Sequence, residues 1–304
     1  MNKFSIAYFG SSDFSADFLE KLLTDQSINR LVTVKFVVTQ PDRPVGRKQV
    51  KTPTPVKTVA QKYGLEIFEI IPPSAGSRFG GKNLDLYLLY AYGAIIPKDL
   101  LTLPKYGFWC LHPSLLPKYR GTSPMATALI NDDRETGVTI IKMDEKIDHG
   151  PIIAQEEYKI LPTDKRPDLE IKLTDLAFEM FKKTVFIKDS LQIRPQNHAV
   201  ATYSKKLTKQ DGFIEFEELK KALNNVTMKQ YNNETIYNLF RGLYPWPGIW
   251  TVLPNGKRLK ITNLTTCLPA GKVKQFNNLT IESVQLEGKK EVDFETFKKA
   301  YKIF

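Results

Sequence analysis

The first forty residues restrict the fold most. Phe4 to Phe9 is a short apolar run of strand length that stops at Gly10. Ser11, Ser12 and Asp13 then offer N-cap oxygens for a helix running to about Leu23. Leu31 to Thr39 reads as the next strand. Strand, helix and strand at this spacing predict an α/β fold with an open, mostly parallel sheet flanked by helices. The first turn carries Gly10 alone rather than a G-x-G-x-x-G pattern, which argues against a dinucleotide cofactor.

The alternation continues. Val56 to Tyr63 reads as a helix, Glu66 to Ile70 as a strand, and Pro72 to Gly81 as a connection. Leu84 to Tyr90 is an apolar strand, Ser123 to Asn131 a helix with Pro124 in its first turn, and Pro151 to Tyr158 a returning strand. Leu169, Leu173, Leu176, Phe178 and Phe181 recur at helical spacing within 168–189 and predict a core-packing helix. The pattern changes at Pro195 to Thr202, so domains are expected over residues 1–200 and 201–304. In the second, Ile236 to Gly242 is helical. Arg258 to Ile261, Gly271 to Phe276 and Leu279 to Leu286 are short strands separated by Gly and Asn turns, as in a small β-barrel of oligonucleotide-binding type.

Charge points to the partner. The formal net charge is +11, and residues 203–304 hold 17 Lys/Arg against 10 Asp/Glu, hence +7 of it. A basic β domain suits contact with a polyanionic backbone. A second cationic stretch, Gln40 to Pro55, carries Arg43, Arg47, Lys48 and Lys51 against the single acid Asp42, and its prolines limit its conformational entropy. It is predicted to be a loop. Two cysteines, Cys110 and Cys267, form no disulfide framework or zinc spacing, and no metal is expected. The N-terminus runs straight into a strand without a signal-like segment, and no apolar run approaches membrane-spanning length. A cytoplasmic protein without membrane contact is expected, as a monomer.

The chemistry is expected around Cys110-Leu111-His112-Pro113. Phe108 to Leu111 is the end of a buried strand that Pro113 must terminate, which puts His112 at a strand's carboxyl edge, where open α/β sheets build their sites. Val138 to Met143 reads as another strand, followed by a polar turn from Asp144 to Gly150. A carboxylate from that turn beside His112 would make an acid–base pair working near neutral pH.

Several strings in order, His112-Pro113-Ser114-Leu115-Leu116-Pro117, Arg120-Gly121, Glu135-Thr136-Gly137-Val138-Thr139 and Ile147-Asp148, resemble the signature of the folate-dependent formyltransferases. Gln40-Pro41-Asp42-Arg43-Pro44 with Gly46-Arg47 resembles the branch that formylates methionine on initiator tRNA, in which this loop enters the acceptor arm. The resemblance covers almost the whole chain. It implies 10-formyltetrahydrofolate as co-substrate and initiator methionyl-tRNA as partner. It also implies His112 and Asp148 as catalytic residues, with Asp148 favoured over Asp144. Ser114, Leu115, Leu116 and Pro117 would contact the folate, with Tyr92, Gly93 and Ile95 in the segment that walls its pocket. An amino-sugar nucleotide acceptor is the alternative.

One position departs from the pattern. The family carries Asn two residues before the His, and this chain has Cys110 there. Formyl transfer needs a donor for the developing oxyanion, and a thiol donates weakly. Three readings stay open: His112 or a backbone N–H carries the load, the enzyme is slow or specialised, or the chain keeps only tRNA or folate binding. A thioester on Cys110 is chemically conceivable, with no other residue supporting it. His149, directly after Asp148, is a milder departure.

Overall fold

Alternation along the first strand sets the layering of the larger part of the molecule. In β1 (Phe4–Gly10) Tyr8 and Phe9 point to opposite faces. Tyr8 stacks on Phe18 of α1 (Asp13–Thr24), and Phe18 meets Tyr90, Phe178 and Phe181 edge-on. Phe9 packs on the other face with Tyr87, Tyr92 and Phe108. Each buried ring contributes on the order of 2 kcal/mol, so both faces of the sheet must be covered. The computed structural model describes residues 3–46, 48–69, 84–223, 232–266 and 279–303.

The chain divides into two compact units. The first comprises residues 1–124, 135–159 and 170–204, and the second residues 125–134, 160–169 and 205–304.

The first unit is built on a seven-stranded sheet. Its other strands are β2 (Val32–Val38), β5 (Glu66–Phe68), β6 (Leu86–Tyr90), β7 (Phe108–His112), β9 (Glu135–Lys142) and β10 (Ile152–Lys159), in the order β10-β9-β7-β6-β1-β2-β5. The pairs from β7 to β5 are parallel, and β9 and β10 add an antiparallel edge. The sheet is therefore mostly parallel, as expected, with a mixed edge that strand propensity alone did not specify. The strand order reverses between β1 and β6, which opens a crevice at the carboxyl ends of the strands. The Gln40 to Pro55 stretch, expected as a loop, contains an antiparallel hairpin of β3 (Arg43–Val45) and β4 (Val50–Thr52). Thr54 then caps α3 (Pro55–Lys62). Pro44 is tolerated because a two-stranded ribbon leaves one side of each strand unpaired.

In the second unit, β12 (Ile249–Val252), β13 (Arg258–Thr266), β14 (Leu279–Leu286) and β15 (Glu291–Asp293) form one antiparallel sheet in chain order. Among the described residues, α6 (Phe216–Leu223), α7 (Asn233–Leu243) and α8 (Phe294–Tyr301) supply most of the rest of its core. The small antiparallel β domain is as expected. The strand expected at Gly271 to Phe276, together with Cys267, lies outside the described residues. Arg241 of α7 is 2% exposed. It donates to Asn238 and to the carbonyls of Leu161 and Asp164, and Asp132 lies 3.5 Å away. These bonds explain how residues 125–134 and 160–169 join this unit rather than the first.

Candidate active site

The site grows from the end of β7. Cys110 and His112 lie on one face of the strand by alternation, and both are buried. Pro113 ends the ladder, and Ser114 N–H turns back to the His112 carbonyl at 2.9 Å. Inside the turn the Ser114 hydroxyl donates to Lys118 O at 2.6 Å, and Thr139 Oγ1 bonds both Ser114 O and Leu116 N–H. Ser114 and Leu116 are thus turned inward, while Leu115 and Pro117 are half-buried.

His112 is held at one ring nitrogen and faces a carboxylate with the other. Nε2 lies 3.0 Å from Tyr119 O. A carbonyl only accepts, so Nε2 carries a hydrogen, and Nδ1 is the atom open to proton exchange. Facing Nδ1 at 3.6 Å is Asp148 Oδ2. That same oxygen accepts from Gly121 N–H at 2.7 Å, which fixes the carboxylate's direction. Asp144, the competing carboxylate, sits instead on His149, Oδ2 to Nδ1 at 2.6 Å, and caps Lys146 N–H.

Two non-glycine residues here adopt left-handed backbone, Tyr119 at φ 59° and Asp148 at φ 48°, each costing about 1 kcal/mol or more. Distant chain compensates. Thr202 accepts from Tyr119 N–H through its hydroxyl and from Arg120 N–H through its carbonyl. Gln196 Nε2 donates to the Asp148 and Gly150 carbonyls at 2.9 and 2.7 Å. Gly121, at φ 109°, admits Ser204 O where a Cβ would come within 2.5 Å. Although Arg120 lay within the motif it singled out, the sequence reading missed Gln196 and Thr202 as members of this neighbourhood. Their separation of about 80 residues from the turn left no local signal.

Cys110 packs with Leu116, Ile141 and Ile152. Burial first, and then the negative charge of Asp148, push its thiol pKa well above the ordinary value, so it stays protonated. This is the reverse of what a nucleophilic cysteine needs. Of the apolar-wall residues, Tyr92 is buried against Phe9, whereas Gly93 (φ 80°) and Ile95 are open, Ile95 being 87% exposed.

The cationic residues expected to hold nucleic acid occupy the hairpin. Arg43, Lys48 and Lys51 are exposed, while Arg47 lies outside the described residues. Lys57 bonds Asp42 at 2.6 Å and also pairs with Glu69, anchoring the base of the hairpin. In the second unit, Trp250 packs on Phe213 at 4.9 Å with Arg258 over its ring at 5.8 Å, and Trp246 is 49% exposed. Among the described residues no helix is long and apolar enough to cross a membrane, and no group of three or more His, Cys, Asp or Glu could hold a metal ion.

A strand-end imidazole facing a turn carboxylate, at the carboxyl edge of a mostly parallel sheet, is an arrangement suited to acid–base chemistry. Comparison with known proteins gives the family. Residues 3–185 match the model described as formyl transferase, and residues 206–302 match formyl transferase, C-terminal domain. The chain belongs to the formyl transferase family. It is 34% identical to a methionyl-tRNA formyltransferase from Caldicellulosiruptor saccharolyticus, covering 98% of this chain and 97% of that protein. It is 38% identical to one from Halalkalibacterium halodurans, over 84% of this chain and 76% of the other. Among solved structures, a 4-N formyltransferase from Francisella tularensis shares the fold at a TM-score of 0.62 and 21% identity, covering 84% of this chain and 94% of that one.

Proposed function

We propose that this chain has the activity of a methionyl-tRNA formyltransferase, moving a formyl group from 10-formyltetrahydrofolate to the amine of methionine on initiator tRNA in the cytoplasm. One observation carries the reading. His112 and Asp148 meet at 3.6 Å in a chain whose methionyl-tRNA formyltransferase relatives match it over most of their length. The amino-sugar acceptor draws no comparable support, since structures of sugar formyltransferases share only the fold, at 17–19% identity.

The larger α/β part, residues 1–200, holds the folate and performs the chemistry. Residues 201–304 and the 40–55 hairpin hold the tRNA backbone. Exposed Ile95, with open space around Gly93, offers the kind of apolar wall a pterin ring packs against, so the residues present fit the co-substrate. When bound, the folate supplies the formyl carbon.

Nε2–H of His112 is committed to Tyr119 O, so proton exchange runs through Nδ1. As the C–N bond to methionine forms and the bond to the folate nitrogen breaks, His112 and Asp148 take the amine proton and return it to the leaving nitrogen. Asp148, aimed by Gly121 N–H, balances the positive charge on the ring. The family's Asn donor is replaced by Cys110, whose buried thiol donates weakly. Once Nδ1 of His112 has taken the amine proton, that N–H is the donor the side chain offers to the developing oxyanion.

The test is formylation of methionyl-tRNA and of an amino-sugar nucleotide by the same preparation. Transfer to the tRNA alone supports the reading. Transfer to the sugar alone, or tRNA binding without transfer to either, overturns it.

A further inference from the structure

All three histidines of the chain, His112, His149 and His198, fall in one neighbourhood of the first unit. His149 and His198 stack face to face with centroids 3.9 Å apart and planes 3° from parallel. His198 Nδ1 lies 2.8 Å from Arg120 Nη2. A guanidinium only donates, so this nitrogen accepts and carries no hydrogen. Arg120, 2% exposed, also donates through Nη2 and Nε to Gln196 Oε1 at 2.7 and 3.2 Å. The Gln196 amide thereby has its oxygen fixed, and its nitrogen donates to the carbonyls of Asp148 and Gly150.

We propose that Arg120, Gln196 and His198 are positioning residues that hold the Asp148 turn in its left-handed conformation, and that the His149–His198 stack makes this hold fail in mild acid. The proposal rests on the formyl-transfer reading of the His112–Asp148 pair.

The physical logic is that of a stack with room for one charge. His149 donates Nδ1–H to Asp144 at 2.6 Å, which fixes its ring against that of His198. His198 faces Arg120 and Lys146, both cationic, with His149 against its ring and Asp144 beyond. Partial desolvation, then His149 and Arg120, lower its pKa below the ordinary histidine value. The sign follows. The neutral form is the one that binds Arg120, so the hold is complete at neutral pH and is lost as pH falls through the lowered value. A proton on Nδ1 of His198 would break its bond to Arg120, so the guanidinium that fixes Gln196 loses one of its two side-chain anchors. Such a loss of register at a reacting pair costs on the order of tenfold to a hundredfold in rate.

The experiment combines long-range 1H–15N spectra of the histidine rings in the full chain with pH–rate profiles of methionyl-tRNA formylation. With only three imidazoles, each is assigned by single substitution. At about pH 7.5 the expected His198 is the Nε2–H tautomer with bare Nδ1. Gln196→Glu keeps an acceptor for Arg120 but removes both donors to the turn. It is expected to shift the His112 Nδ1 signal and lower kcat about tenfold, with KM for tRNA unchanged. His198→Gln keeps an acceptor without a titrating ring, and its kcat should fall less steeply with acid than that of wild type, leaving only the limb that belongs to His112. A proton on Nδ1 of His198 at neutral pH overturns the proposal. So does a Gln196→Glu chain with unchanged His112 signals, or an identical acid limb in His198→Gln. If the wild type shows no formylation, the assigned function has failed, and the ring spectra decide the positioning relay by themselves.

Discussion

The turn from His112 to Gly121 and the hairpin from Arg43 to Thr52 follow strands of the same sheet, yet they are opposites. In the turn, His112, Ser114, Leu116 and Arg120 are all under 5% exposed, and their polar atoms bond partners both within the turn and tens of residues away. In the hairpin every residue of both strands is exposed, and it is anchored mainly at its base, through Lys57. Acid–base chemistry needs atoms fixed before the reaction begins, and buried, fully bonded groups supply that. A polyanion needs accessible cations, and fixing them gains little. The two regions show one chain meeting both demands in separate segments.

That contrast yields graded expectations. Removing either member of the pair, His112→Ala or Asp148→Asn, should lower kcat about 10³-fold with tRNA affinity retained, read by single-turnover formylation beside filter binding. Restoring the family's amide with Cys110→Asn should raise kcat, by about 100-fold if the weak thiol donor limits the rate. The same change should cost about 1–3 kcal/mol in denaturant unfolding, because it buries a polar group among Leu116, Ile141 and Ile152. Substituting Arg43, Lys48 and Lys51 together by Ala should raise KM for tRNA about tenfold, flatten its salt dependence and leave kcat alone. An unchanged salt slope would remove the hairpin from tRNA binding and collapse the comparison. The smallest effect concerns reactivity. Cys110, buried and with its thiol pKa raised, should resist alkylation at about pH 8 in the folded chain and react only after denaturation, as peptide mapping would read.

Much of this was legible from residues close in sequence. Pro113 stops β7, so His112 had to lie at a strand end, and the N-cap oxygens from Ser11 to Asp13 marked the first helix start. The approach of Asp148 to His112 was expected from the order of motifs, while its distance required the fold. The hairpin was hidden because three-residue strands rich in Pro and Lys carry no periodicity. Gln196 and Thr202 were hidden for another reason. Each acts through hydrogen bonds to residues tens of positions away, a relation that leaves no pattern in composition or spacing. Arg241 inverts the usual inside–outside preference, and only its surrounding carbonyls explain why it is buried.

The most direct test of the central claim is a double-mutant cycle on formylation with His112→Ala, Asp148→Asn and the two combined. If the imidazole and the carboxylate act as one proton-handling unit, the double variant will be about as slow as either single one. If the two losses multiply, the groups act independently and the account of the site is wrong.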